Sequence, residues 1–213
     1  MAKQQRSEET RQALIASGAR VFAKTPFDKA RIADVLEPLG LTQGAFYFHF
    51  ANKHELALEI IKTELSLMVE LAEQGASSAP DPLTGLHGMS LALARLVQTD
   101  VRVQAGLRLT AHSPGEFPEF LGASFGVWES TISRSLEGAQ ADGLVSRDLD
   151  LGAAARFIVA TFVGVQEISA ISADWTDLEA RIDEVAALSI RAIATDAGMK
   201  LYTSRRAVSA TIS

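Results

Sequence analysis

The sequence predicts an all-α fold, and two observations lead to this prediction. Apolar residues recur at spacings of three and four along most of the 213 residues, as they do on the buried face of a helix. No segment alternates apolar and polar residues as a half-buried strand does. A fixed-period repeat is also absent, which argues against a solenoid. We therefore expect amphipathic helices packed into bundles.

Composition excludes several classes of protein. Hydrophobic residues make up 47% of the chain and cysteine is absent, so a disulfide scaffold, a thiolate metal site and a cysteine nucleophile are excluded. The charged start of the chain has no apolar segment of the secretory type. The longest weakly charged stretch, 151–171, contains Arg156 and Glu167 and predicts a buried helix rather than a membrane span. We expect a cytoplasmic protein without membrane contact.

Charge is distributed unevenly along the chain. The net charge is −6, but residues 1–53 carry eight Lys/Arg against five Asp/Glu, while the remainder carries twelve against twenty-one. This asymmetry predicts a small basic module that meets phosphates, attached to an acidic body that does not. An excess of three charges is small, so chance is the alternative.

The first elements predict a helix-turn-helix. A first helix is expected to begin at Ser7, a favourable N-cap followed by two glutamates, and to end at the Thr-Pro break of residues 25–26. A second short helix covers about 31–37, and Thr42 caps a third. Gly40 lies in the tight turn between them, as helix-turn-helix geometry requires. We assign this motif to residues 31–50.

The third helix is expected to lie in the major groove of duplex DNA, because small residues at its start permit close approach to base edges. Later side chains carry hydroxyl, imidazole and ammonium groups that reach phosphate oxygens. Lys3 and Arg6 extend this surface as a basic arm, and Arg31 is either a phosphate contact or a solvated surface charge. The predicted DNA-binding residues are Lys3, Arg6, Arg31, Thr42, Gln43, Gly44, Ala45, Tyr47, His49 and Lys53.

A fourth helix, about 52–74, begins at a capping pair formed by Asn52 and Glu55. Its apolar residues form two adjacent stripes, which predicts that the helix packs on two sides and links the head to the body. Glu64 falls between the stripes. A buried carboxylate is costly, so Glu64 is expected to be paired, protonated or available to a ligand.

The remainder predicts a flexible segment over 75–82 and then five further helices. The helices are expected at about 83–98, 100–111, 117–141, 150–172 and 176–196. The last two are rich in glycine and alanine, which permits close helix approach either between two copies of the chain or within one.

One segment carries a family resemblance. Residues 40–50, GLTQGAFYFHF, followed by Lys53 and Leu56, resemble the signature of the TetR family of bacterial repressors. The MAKQQR start and the AGLRL segment at 105–109 are similar to the γ-butyrolactone autoregulator receptors within that family. The resemblance implies a homodimeric repressor of a pseudo-palindromic operator, released by a small apolar, lactone-like effector and needing no cofactor.

Some positions depart from the family pattern. Pro26-Phe27 replaces the usual Gly-Tyr, and Ala30-Arg31 replaces the usual pair of hydroxyl residues, so the capping hydroxyl of the second helix is missing. The usual lysine after the capping threonine is Gln43, which can pair bidentately with adenine. The operator preference is therefore expected to differ from that of relatives.

The resemblance also implies domain limits and effector contacts. It implies a head at 1–53, a connecting helix at 54–74, a ligand-binding and dimerisation domain at 75–200 and a flexible tail at 201–213. The lactone receptors carry a pocket tryptophan and a pocket threonine that match Trp128 and Thr161 here. The predicted effector residues are Glu64, Leu109, Trp128, Phe157, Thr161 and Val165.

Alternatives remain at each of these positions. Trp128 and Thr161 fit equally as core residues, the threonine satisfied by its own backbone carbonyl. An ion pair with Arg108 is the alternative for Glu64.

An enzyme is not expected, because the four histidines have no metal-ligand spacing and no nucleophile motif or glycine-rich phosphate loop occurs. A regulator without a lactone ligand, either antibiotic-sensing or effector-free, is the alternative function.

Overall fold

The computed structural model describes residues 2–120 and 123–212, with side chains described at 4–72, 74, 79–120 and 125–207. The described residues form ten α-helices, two 3₁₀ turns and no strand, which confirms the predicted all-α fold. The helices are α1 (Ala2–Phe22), α2 (Ile32–Leu36), α3 (Gln43–His49), α4 (Lys53–Ser78), α5 (Pro82–Thr99), α6 (Val101–His112), α7 (Ala123–Ala141), α8 (Leu151–Ala173), α9 (Leu178–Ile193) and α10 (Asp196–Ile212). The 3₁₀ turns are Glu37–Leu39 and Pro118–Phe120.

The chain forms two compact units. Unit 1 comprises Met1–Met68 and Thr99–Leu121, and unit 2 comprises Val69–Gln98 and Gly122–Ser213. The core of unit 1 lies between α1, α2, α3, α6 and the first part of α4, where α1 packs on both α2 and α6. Gly18 allows α4 to approach α1 closely, because a methyl group at this position would lie 2.8 Å from Leu56 Cδ2.

Unit 2 is a helical bundle in which α8 packs against both α7 and α9. Its core includes Leu83 of α5, Leu136 of α7, Ala155 of α8 and Ile190 of α9. By length and composition α8 could cross a membrane, contrary to the expectation that it falls short of a span. It packs on two neighbours, but only 28% of its most apolar stretch is buried within the described chain, so the buried helix that the sequence predicts is only partly observed.

Two helices extend further than the sequence predicts. The helix α1 begins at Ala2 rather than Ser7, because the polar residues before Ser7 are also good helix formers. The helix α4 continues to Ser78, through part of the segment expected to be flexible. Asp81 ends that segment by accepting hydrogen bonds from the backbone N–H and the hydroxyl of Thr84, at 2.9 and 2.7 Å, and so caps α5.

The segment expected to be a flexible tail is helical as far as Ile212. The helix α9 ends at Ile193, and Ala194 forms an isolated antiparallel bridge with Val145. Thr195 then caps α10 by accepting from the Gly198 N–H at 3.1 Å. A side chain at Gly198 would collide with the Leu144 carbonyl, so glycine permits this close approach.

A closed network of polar side chains holds α10 in unit 2. The Tyr202 hydroxyl lies 2.5 Å from His87 Nδ1, and His87 Nε2 lies 2.8 Å from Asp183 Oδ1. Arg206 donates to the Tyr202 oxygen at 2.9 Å and to Asp183. His87 and Tyr202 are both buried. Three helices, α5, α9 and α10, are thereby joined by side chains that are distant in sequence.

Candidate DNA interface and effector residues

The predicted helix-turn-helix forms in unit 1. Gly40 adopts the left-handed conformation, with φ +61°, and its N–H donates to the Glu37 carbonyl at 3.2 Å. The hydroxyl of Ser17 in α1 donates to the Val35 carbonyl at 2.7 Å and fixes α2. Phe46 of α3 is fully buried against this pair. The turn and the buried contacts therefore set the orientation of α3.

One face of α3 is exposed and the other is buried. Thr42 caps the helix by accepting from the Ala45 N–H at 3.3 Å. Gln43 and Gly44 are exposed, and Ala45 is half-buried. Tyr47 is 55% exposed, one helical turn after Gln43. The predicted base-reading positions and the predicted phosphate contact therefore share one open face.

Phe48 is a member of this face that sequence reasoning missed. Its side chain is 77% exposed, which is unusual for phenylalanine. A signal was available: Phe46 and Phe50 are buried at a spacing of four, so Phe48, two positions from each, must point away from them. The exposed ring offers an apolar contact of the kind that recognises a thymine methyl group.

Arg31 takes a third role besides the two alternatives above. Its guanidinium makes a bidentate ion pair with Asp34, with Nη2 2.7 Å from Oδ1, while the Arg31 N–H donates to Oδ2 at 3.1 Å. The Arg31 hydrogen bonds hold the pKa of Asp34 below its ordinary value. Asp34 thus accepts the N–H of the residue before α2, but no side chain takes the place of the missing capping hydroxyl, and Arg31 is exposed beside it.

Lys53 holds the start of α4 against the preceding loop. Its ammonium group donates to the carbonyls of Phe27 and Ala30, at 2.5 and 2.9 Å, and lies 4.4 Å from the centre of the Phe27 ring. These carbonyls take two of its three N–H groups. A phosphate contact, as the sequence predicts, would use the third.

The basic arm differs from the expected one. Arg6 is exposed and lies within α1, where its carbonyl accepts from the Thr10 hydroxyl at 2.9 Å. The side chain of Lys3 lies outside the described residues. His49 is half-buried at the last turn of α3. The arm is therefore a helical turn, because helix α1 starts before it.

Two predicted effector residues lie in unit 1. Leu109 is 3% exposed and belongs to the core of the unit, which favours a packing role. Glu64 is 2% exposed, and burial raises its pKa to about 8. The alternative of an ion pair with Arg108 is not observed, since no ion pair of Glu64 occurs among the described side chains. A pKa of about 8 favours the neutral acid at pH 7.

The other four predicted effector residues lie in unit 2. Trp128 is half-buried and packs on the core, and Phe157 is 50% exposed on α8. The Thr161 hydroxyl donates to the Phe157 carbonyl at 2.7 Å, as the structural alternative predicts, although its oxygen can still accept. Val165 is half-buried one turn further along α8.

A small cleft between α5, α8 and α9 brings Thr161 close to His87 and Ser189, but Trp128 does not line it. Its volume is about 30 Å³, whereas pockets for small molecules usually enclose at least about 300 Å³. This cleft therefore does not hold an effector as it stands. No cluster of side chains able to bind a metal ion occurs in the part of the chain that the structure describes.

Comparisons with known proteins agree with this geometry. A model of the bacterial regulatory proteins of the tetR family matches residues 14–60, and a tetracyclin repressor-like C-terminal domain matches residues 81–195. The chain is 31% identical over 187 residues to the A-factor receptor protein of Streptomyces griseus, covering 87% of this chain and 64% of that protein. It is 28% identical to the probable acrEF/envCD operon repressor of Escherichia coli (strain K12), covering 78% of this chain and 79% of that protein.

Among solved structures, the chain resembles a gamma-butyrolactone receptor described as ArpA-like. The TM-score is 0.67 and the sequence identity 27%, with 87% of this chain and 98% of that chain covered. The first family match includes α3, and the second covers most of the helical bundle of unit 2. Both confirm the family resemblance that residues 40–50 predict. Regulators of this family are DNA-binding repressors and not enzymes. The chain belongs to the tetR family of bacterial regulatory proteins.

Proposed function

We propose that this protein is a homodimeric, cytoplasmic repressor that binds a pseudo-palindromic operator and leaves it when a small apolar signalling molecule binds. The observation that carries the DNA-binding part is the exposed face of α3, on which Gln43, Gly44, Tyr47 and Phe48 are all open to solvent. Amide and aromatic groups on one helix face suit a major groove, where they meet base edges and thymine methyl groups. The buried faces of Phe46 and Phe50 hold this surface outward.

Similarity supports a γ-butyrolactone or butenolide as the effector. The A-factor receptor and the gamma-butyrolactone receptor are both relatives of this chain. We assign effector contact to Trp128, Phe157, Thr161 and Val165 in unit 2, whereas the burial of Glu64 and Leu109 favours structural roles within unit 1. Because the cleft beside Thr161 is small, an effector that enters there would have to widen it, and its binding would then favour the widened state.

A regulator without a lactone ligand is the second candidate. The similarity to a probable acrEF/envCD operon repressor supports a regulator outside the lactone receptors.

Dimerisation is supported by apolar side chains on α8 and α9. Ile168, Ile171 and Leu188 are 57%, 81% and 64% exposed. Exposed large aliphatic groups in such numbers are typical of an interface rather than of free surface. Two copies related by a twofold axis would place two α3 helices on successive major grooves of a palindrome.

The decisive experiment starts from a random-sequence duplex pool. Wild-type protein should select a palindromic duplex, and a γ-butyrolactone should release it in fluorescence anisotropy. Gln43→Ala should alter preference at one base pair by about 1–3 kcal/mol, whereas Tyr47→Ala should weaken every duplex equally. Trp128→Ala should bind DNA normally and need more lactone for release.

Specific outcomes would refute each part. Failure to select any duplex would refute operator binding. A selected duplex that stays bound at every lactone concentration, but is released by an apolar antibiotic, would favour the second candidate. Loss of DNA binding in Trp128→Ala would contradict the separation of reading and sensing residues.

A further inference from the structure

Glu64 is a buried carboxyl group for which the described residues provide no partner. Its side chain is 2% exposed on α4, within unit 1. Among the described side chains it has neither a hydrogen bond nor an ion pair. Taking an ionised carboxylate out of water without compensation costs several kcal/mol, so the group must stay protonated while it stays buried. Its raised pKa, about 8, follows from this burial.

The carboxyl group is held against the backbone of α6. A methyl group at Gly106 would lie 2.5 Å from Glu64 Cβ, 2.8 Å from Cγ and 3.2 Å from Oε2. The two helices therefore touch at this point, and the absence of a side chain on Gly106 is what admits Glu64. Glu64 is 2% exposed at this contact, so an ionised carboxylate there would lack most of the hydration that it needs.

The charged groups around Glu64 are engaged elsewhere. On α6, Arg102 pairs with Asp100, and neither Arg108 nor His112 forms an ion pair with Glu64 among the described residues. On α1, Arg11 pairs with Glu59 of α4, and Lys62 pairs with the same glutamate. Burial is the only cause of the raised pKa of Glu64. Loss of its proton would therefore leave a charge that no neighbour neutralises.

Separation of α4 from α6 would disturb the helix-turn-helix formed by α2 and α3. The helix α6 packs on α1, which packs on α2. At its other end, α4 holds the loop before α2 through Lys53, and His54 Nε2 donates a hydrogen bond to the Glu116 carbonyl, 2.9 Å away. Both helices that meet at Glu64 are thus attached to the elements that orient α3.

We propose that Glu64 is a proton-controlled spacer between α4 and α6. When Glu64 is neutral, α4 and α6 pack together and the helix-turn-helix binds DNA. When Glu64 is ionised, its carboxylate attracts water, the two helices separate and the affinity for DNA falls. The inference deepens the proposed function by adding regulation by pH to the operator-binding state.

The test compares wild type with Glu64→Gln, which keeps the shape of the side chain and cannot ionise. The probe is a duplex selected by wild type at about pH 7. Raising the pH to about 9 should weaken wild-type binding about tenfold, because the neutral fraction falls about tenfold one unit above a pKa of about 8. Glu64→Gln should lose less than about threefold, from its other titrating groups.

Glu70→Gln is the matched control, since Glu70 is an exposed glutamate on the same helix. It should lose affinity with pH as wild type does. The proposal would be overturned if wild type and Glu64→Gln lost the same affinity for DNA between these pH values. It would also be overturned if Glu64→Gln and Glu70→Gln both abolished the pH-dependent loss of affinity.

A second measurement does not depend on DNA. Thermal unfolding, compared between about pH 7 and about pH 9, should show a larger fall in melting temperature for wild type than for Glu64→Gln. If wild type selects no duplex, the proposed function fails, and this comparison alone decides whether ionised Glu64 separates the helices. Equal falls would refute the spacer.

Discussion

Single polar side chains join segments that are distant in this sequence. Lys53 binds two carbonyls of the loop 26–30, and His87 joins Tyr202 to Asp183. In each case the partners are buried or half-buried, so loss of one leaves another without its hydrogen bond. These residues therefore contribute more to stability than exposed charges do.

Replacing Lys53 with methionine should destabilise unit 1 by about 1–3 kcal/mol, because the Phe27 and Ala30 carbonyls lose their donor. Urea unfolding monitored by circular dichroism, without DNA, measures this loss. Lys62→Met is the control, since Lys62 forms an exposed ion pair on the same helix. Equal effects of the two substitutions would assign Lys53 no structural role.

His87 should make unit 2 sensitive to acid. Burial, and then Arg206, lower its pKa below the ordinary 6.5, although Asp183 opposes the shift. The unfolded chain therefore binds a proton more readily than the folded chain, and stability falls as pH drops below about 6.5.

The free energy of unfolding, measured at about pH 7.5 and about pH 5.5, should decrease less for His87→Gln than for wild type. His112→Gln, at an exposed position, should decrease as wild type does. A decrease in His87→Gln as large as that of wild type would place the acid-sensitive group elsewhere.

At the scale of elements, α3 and α10 show two ways in which a helix is fixed. The short helix α3 depends on local signals, Gly40 in the turn and the Thr42 cap. The helix α10 depends on distant contacts, since Gly198 lies against Leu144 and Tyr202 is 4% exposed. A helix of the second kind has no strong signal in its own sequence.

Removing the anchor of α10 should therefore loosen the whole element. Tyr202→Ala should cost about 3–5 kcal/mol, the usual loss for a large buried aromatic group, and should raise hydrogen exchange along α10. Thr203→Ala, at an exposed neighbouring position, should leave both quantities unchanged. Unchanged exchange in Tyr202→Ala would show that α10 needs no anchor in unit 2.

At the scale of the whole molecule, charge and apolar surface are divided between two roles. The first 53 residues have a positive balance and the rest a negative one, which favours phosphate contact by the head alone. The exposed apolar residues of α8 and α9 lie in unit 2. A dimer formed through unit 2 would use none of the residues of the two helix-turn-helix motifs, which would remain available for DNA.

A charge on this apolar surface should prevent dimerisation. The double variant Ile171→Glu and Leu188→Glu should sediment as a monomer, because each carboxylate would have to lose water at the interface. Its affinity for a palindromic duplex should fall about a hundredfold, since the second head no longer binds intramolecularly. Lys200→Glu, which adds a carboxylate at an exposed position of α10, should remain a dimer.

The sequence by itself determined the all-α fold, the helix-turn-helix and the open face of α3. These features depend on contacts within a few residues: helical spacing of apolar residues, glycine at a positive φ and a threonine cap. A long motif at residues 40–50 also sufficed to identify the family. For these parts, local physics and the tertiary structure agree.

Only the tertiary structure decided the partners of Lys53, Arg31 and His87, the helix α10 and the protonation of Glu64. Each depends on which groups, distant in sequence, come together in space. The helical spacing of apolar residues does not indicate these long-range contacts. Glu64 shows the reason most clearly. Its place between two apolar stripes predicts burial, but whether it is paired or neutral depends on the glycine of α6 that packs against it.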